Sequence, residues 1–197
     1  GDTLVVGAYQ ESSSQTSITN GTSASSDNSA TYAGAVYVYK RNGNTWAQEA
    51  YLKPSNLESF DRFGTSVAID TDTIAVGAPY EDSNQTTITN GSTASSNNSK
   101  FSSGAVYIFK RNGTTWAQEA YIKAANADAN DGFGLNLAIS RDTLVVGNAY
   151  ECSNQTFITN GASASSDNSL INSGAVYVYK RTGSSWAQEA YIKAANA

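Results

Sequence analysis

Asp72-Thr73-Ile74-Ala75-Val76-Gly77 is one of three near-copies of a single hexapeptide: Asp2-Thr3-Leu4-Val5-Val6-Gly7 stands before it and Asp142-Thr143-Leu144-Val145-Val146-Gly147 after it, at a constant interval. Self-similarity at a fixed period marks a repeat architecture, each copy being one supersecondary unit that buries its faces against its neighbours. Other landmarks keep the same interval. Gly-Ala-Val-Tyr recurs at Gly34, Gly104 and Gly174, and the only tryptophans are Trp46, Trp116 and Trp186. The predicted repeats are 1–57, 58–127 and 128–197, together one domain or part of one. The second and third open with Phe63–Ile69 and Phe133–Ile139, for which the first has no counterpart.

Each full repeat reads as four short strands: A (Phe63–Ile69), B (Thr73–Gly77), C (Ala105–Lys110) and D (Trp116–Lys123). B and C are apolar at both alternating sets of positions, as strands covered on both sides are. D is interrupted by Gln118 and Glu119 and reads as an edge strand whose charges discourage stray pairing. Arg111-Asn112-Gly113 between C and D signals a tight hairpin, with Thr182-Gly183 as a weaker equivalent. No helical periodicity occurs. The expected fold is all-β, with β-propeller-type four-stranded antiparallel blades, the first lacking its innermost strand. A linear stack of sheets satisfies the same periodicity.

Composition removes whole classes of function. The 197 residues contain no His, which excludes His-based catalysis and most transition-metal sites. The absence of Met predicts a processed or excised piece, and one Cys forms no internal disulfide. A net charge of -5 argues against nucleic acid, which demands clustered Lys and Arg. No apolar run approaches the ~20 residues of a membrane helix, so no membrane insertion is expected in this segment.

The repeats resemble FG-GAP repeats, the blade unit of the integrin α-subunit propeller and of many bacterial surface proteins. The likeness rests on Phe63-Gly64 and Phe133-Gly134, on Val76-Gly77-Ala78-Pro79, and on the order of the Gly-Ala-Val-Tyr and Trp strands. It departs from the family at Gly7-Ala8-Tyr9 and Gly147-Asn148-Ala149. The Asp-rich calcium loop that many members carry between A and B is also absent, so those calcium sites are not carried over. The resemblance implies propellers of about seven blades. Three repeats then belong to a longer propeller, or copies assemble by exchanging a strand at the open edge of the first repeat.

Between B and C each repeat carries a Ser-, Thr-, Asn- and Gly-rich segment: Gln10–Ala33, Tyr80–Ser103 and Tyr150–Ser173. By resemblance these loops, and those at Asn56–Arg62 and Asn126–Gly132, share the face where integrin-type propellers meet ligands. Ile18, Ile88 and Ile158 recur alone in polar surroundings and are expected to anchor the loops. Glu11, Asp27, Glu81, Asp82, Glu151 and Asp167 complete the candidate ligand or assembly residues. Three readings stay open. Sequons at Asn20, Asn84, Asn90, Asn97, Asn112 and Asn154 allow a carbohydrate-bearing surface. Glu11, Glu81 or Glu151 with Asp27 or Asp167, and Asp82 beside Glu81, offer oxygens for calcium, although Asn97 replaces the Asp in the second repeat. Alternatively the loops are solvated and hydrogen-bonded to themselves, spacing or interlocking neighbouring units.

With no His in the chain to serve as its base, Cys152 reads as an incidental thiol, with an intermolecular bridge as the second reading. The tryptophans are expected to pack against the next blade, and the Gln48-Glu49 pair and its copies to form a solvated face rather than a hydrolytic carboxylate pair. No cofactor is expected beyond the calcium just described. The composite expectation is a non-enzymatic structural or adhesive protein of the extracellular space or a microbial cell surface, associating with its own copies or with further blades. The rival is a receptor module that binds protein or glycan through the loop face.

Overall fold

The computed structural model describes residues 1–196, and every regular element in them is a β-strand. The first sheet contains β1 (Thr3–Ala8), β2 (Thr19–Asn20), β3 (Ala35–Asn42) and β4 (Thr45–Leu52), in the order β1-β3-β4-β2. The second contains β5 (Ser66–Asp70), β6 (Thr73–Ala78), β7 (Ile88–Asn90), β8 (Ala105–Asn112) and β9 (Thr115–Ile122), in the order β5-β6-β8-β9-β7. The third repeats it with β10 (Asn136–Ser140), β11 (Thr143–Asn148), β12 (Thr159–Asn160), β13 (Ala175–Thr182) and β14 (Ser185–Ile192). All neighbours are antiparallel, and the register is the same in each sheet: Val6, Val76 and Val146 pair with Tyr37, Tyr107 and Tyr177. The first sheet has no counterpart of β5 or β10, as the sequence predicts.

Two expectations are corrected. The D segment is not the edge of its sheet, because two or three residues of the polar loop (β2, β7, β12) pair along its second half. Full sheets therefore have five strands. The hairpin is also not built by the Asn-Gly pair. Asn112 already pairs with Thr115, so the turn residues are Gly113 and Thr114, with Gly113 at φ 63°. A two-residue turn with Gly first is the II′ type. Gly183 serves equally well after Thr182, at φ 64°.

The sheets pack face to face and approach most closely at their inner strands, β5 lying against β1 and β10 against β5 and β6. Alternation divides the second sheet between two cores. Ile74, Val76, Tyr107, Phe109 and Trp116 face the first sheet's Val36, Val38 and Leu52. Val106, Ile108, Ala120 and Ile122 face the third sheet's Leu144, Val146, Tyr177 and Trp186. Hence all six residues of β6 are buried, whereas Leu4 and Val6 of β1, before which the described residues place no sheet, are exposed. Phe63 and Phe133 lie outside the strands proper. Each forms a bridge to a glycine of the preceding sheet (Gly34, Gly104) and is fully buried. No helix is long and apolar enough to cross a membrane among the described residues.

Candidate functional site: the loop face and the seams between sheets

Each long loop is rooted by a buried ion pair. Lys123 Nζ donates to Glu81 Oε2 at 2.8 Å and to Ser103 Oγ at 2.8 Å. Glu81 Oε1 also accepts from the Tyr121 hydroxyl at 2.9 Å. Lys193 with Glu151 and Lys53 with Glu11 repeat the pair, each at 2.9 Å. Burial pushes the Lys123 and Lys53 amines below the usual lysine range, and the facing carboxylates pull them back. Removing one partner of such a pair leaves a buried charge uncompensated, so the pair fixes the loop's exit geometry.

Further out, the loops hydrogen-bond to themselves. Asp27 Oδ2 accepts from the Ser14 amide and hydroxyl at 2.7 Å each and from the Ser29 hydroxyl at 2.9 Å. Asp167 Oδ2 accepts from the Asn154 amide and the Ser169 hydroxyl, both at 2.9 Å. These bonds hold both carboxyls below the ordinary Asp range. Asn97 Oδ1 takes the same place, accepting from the Ser99 amide at 3.0 Å and its hydroxyl at 2.7 Å. The position demands only an acceptor, which accounts for Asn standing where the other repeats have Asp. Asp82 Oδ1 accepts the Ser102 amide at 2.6 Å. The candidate carboxylates thus lie apart, with donors of the chain already on them. Among the described residues no three His, Cys, Asp or Glu side chains converge to hold a metal ion.

The seams between sheets hold residues that the sequence reading misassigned. A bulge in each C–D hairpin leaves Glu119 unpaired between Gln118 and Ala120, and the same shift occurs at Glu49 and Glu189. A bulge re-aims its extra side chain. Here it turns Glu119 onto the third sheet, where its carboxylate accepts from Trp186 Nε1 at 3.0 Å and Arg181 at 3.3 Å. Glu49 does the same for Trp116 at 3.0 Å and Arg111 at 3.0 Å. These glutamates are therefore not a solvated face: each of their side chains is about nine-tenths buried in the seam. Trp116 and Trp186 pack against the preceding sheet rather than the next, and Trp46, for which the described residues supply no preceding sheet, is 47% exposed.

The polar loops reach across the same seams. Asn20 Oδ1 accepts the Trp116 amide at 2.7 Å and its Nδ2 donates to the Trp116 carbonyl at 3.3 Å. Asn90 clamps Trp186 with the same two distances. All six sequon asparagines are exposed, but the amide nitrogens of Asn20 and Asn90 are engaged in seam contacts. Ile18 and Ile88 pack against the cores on either side of the second sheet, but Ile158, after which the described residues place no sheet, is exposed. Asn56 adds a third link. It accepts the Tyr107 hydroxyl at 2.8 Å and donates to Glu81 and to the Ser95 carbonyl. The repeated Ile-Thr-Asn-Gly was the available signal for the clamp, since its Asn recurs unchanged at 20, 90 and 160.

The Asn clamp, the bulged Glu with its Arg–Trp pair, and the Phe-Gly bridge together recur at both seams. A family model described as FG-GAP repeat matches residues 46–109 and 116–179, two spans that each begin on a seam tryptophan or its counterpart and run through the next C strand. No curated protein matches the chain.

Proposed function

Because this chain belongs to the FG-GAP repeat family, we propose that it is a non-enzymatic structural and adhesive module of the extracellular space or a microbial cell surface, joining other copies of itself seam to seam. The supporting observation is that, among the described residues, the first and the third sheet each present half a seam without its partner half. On the third sheet, Asn160 and Glu189 occupy the clamp and bulge positions, are exposed, and face no tryptophan among the described residues. On the first sheet, Trp46 is exposed beside Arg41, which lies 5.7 Å from the ring centre and pairs with Asp2, as Arg111 does with Asp72. The two half-seams carry the Asn, Glu, Arg and Trp that meet at the internal seams, although the first sheet lacks the Phe of the Phe-Gly bridge. A contact between different surfaces of identical copies is heterologous and propagates. Sedimentation velocity across a concentration series tests the reading. Multimers should form as concentration rises, and Trp46→Ala or Asn160→Ala should each weaken association about tenfold, roughly 1.4 kcal/mol. Both side chains are exposed, so folding is retained. A chain that stays monomeric up to ~100 μM would overturn the proposal.

A further inference from the structure

We propose that amide bonds close the two seams covalently, one joining the side chains of Lys123 and Asn56 and the other those of Lys193 and Asn126. Each pair meets at one buried carboxylate. Glu81 accepts from Lys123 Nζ on Oε2 at 2.8 Å and from Asn56 Nδ2 on Oε1 at 3.2 Å. Glu151 accepts on the corresponding atoms from Lys193 Nζ at 2.9 Å and from Asn126 Nδ2 at 3.1 Å. Both lysines and both glutamates are at most 4% exposed. Asn56 lies just past β4 of the first sheet and Lys123 just past β9 of the second, so their bond spans the seam. The second pair repeats the arrangement at the next seam.

The surroundings supply what transfer of the asparagine acyl group to an amine requires. Tyr107 donates to Asn56 Oδ1 at 2.8 Å and Tyr177 to Asn126 Oδ1 at 2.6 Å, which turns each amide nitrogen toward the carboxylate. A hydroxyl thus faces the oxygen on which negative charge builds, and a proton carrier faces the leaving nitrogen. Burial lowers the Lys123 amine below the usual lysine range, favouring its neutral, nucleophilic form. Glu81 takes one proton from the ammonium, and Nζ turns from the carboxylate to within ~3–3.5 Å of Asn56 Cγ. The Nζ–Cγ bond forms. A second proton then passes from Nζ to Nδ2, the Cγ–Nδ2 bond breaks, and ammonia leaves with the proton that Glu81 held, as ammonium. Nothing is oxidised or reduced, and the carboxylate is restored.

The first repeat is an internal control, because its Lys53–Glu11 pair at 2.9 Å has no asparagine on the carboxylate among the described residues. Intact-mass spectrometry of the denatured chain reads the reaction. Each bond removes one ammonia, about 17 Da, so the chain should weigh about 34 Da less than its sequence. A tryptic digest should contain branched peptides joining Asn56 to Lys123 and Asn126 to Lys193, with Lys53 unmodified. Glu81→Gln should recover about 17 Da, while the Lys193–Asn126 bond, still present, reports that the variant folds. The full sequence mass in the parent chain, a deficit mapped to other residues, or one unchanged by Glu81→Gln would each overturn the proposal.

Discussion

Glu119 and Glu189 occupy the same bulge position in successive sheets, yet only Glu119 has a tryptophan and an arginine of another sheet to accept from. The pair separates the worth of a seam contact from that of the residue. Glu119→Gln should destabilise by about 1–3 kcal/mol, because Arg181 loses a largely buried partner, whereas Glu189→Gln should fall within about 0.5 kcal/mol of the parent. Urea midpoints compare the two, and equal losses would remove the seam from the explanation. A second residue-scale effect comes from Asp61 and Asp131, buried at the roots of the A-preceding loops. Burial pushes their carboxyls up to about 8 and about 7, against the pull of the Glu58 and Asp128 amides that they accept. An unfolded Asp titrates near 3.9. Between roughly pH 4 and 8 the folded chain therefore holds protons that the unfolded chain has released, and stability falls as pH rises through that window. Asp61→Asn with Asp131→Asn keeps the acceptor oxygen and should flatten the slope, gaining on the order of 1–3 kcal/mol over the parent at pH 8.5 and little at pH 4.5. Urea midpoints with the same slope in both proteins would contradict the assignment.

At the scale of the strand, the distance between sheets is set at a glycine. A Cβ on Gly77 of β6 would lie 1.9 Å from the Gly134 carbonyl oxygen, and one on Gly7 2.0 Å from that of Gly64. Gly147 of β11 is the third copy, but nothing there comes nearer than 3.6 Å. Gly77→Ala should thus force the second and third sheets apart and cost about 2–4 kcal/mol, while Gly147→Ala should be close to neutral. Thermal melts of the two variants decide it, and an equal loss in both would mean that strand propensity rather than sheet spacing governs the position. This glycine also shows what the sequence could reveal. The interval between copies and the two-sided apolar character of β6 and β8 disclosed the repeat, its strand order and the missing inner strand. The short β7 stayed hidden, since Ile88-Thr89-Asn90 sits in a polar run too brief to show alternation. The role of Glu119 was hidden for another reason: its partners Arg181 and Trp186 are 62 and 67 residues away, on a different sheet, and only the bulge aims it at them. Asn97 for Asp was visible but read against calcium, when the loop requires only an acceptor.

Across the whole molecule, stability is expected to follow position in the series rather than composition, because the three sheets are built from nearly the same residues. In repeat architectures each unit contributes an intrinsic term and each interface a coupling term, so a unit coupled on both sides is the last to open. The second sheet has a clamp, a bulged Glu contact and a core on either face. The third keeps its inner strand β10 but couples on one side. The first lacks that strand and, among the described residues, couples on one side, its Leu4 and Val6 lying exposed on the uncoupled face. Native-state hydrogen exchange should therefore rank the amides of β6 and β8 as most protected, those of β11 and β13 next, and those of β1 least, with a spread of about 2 kcal/mol or more between β8 and β1. Asn20→Ala, which cuts the first seam alone, should lower protection in β1 and β3 more than in β13. Equal protection in all three sheets, moving together in the variant, would mean that the chain opens as one cooperative block and that the seams do not divide it. Association through the open half-seams adds a concentration dependence to the same measurement. Protection of β1 should rise with protein concentration if a second copy covers Trp46, and Trp46→Ala should erase that rise while leaving β8 unchanged.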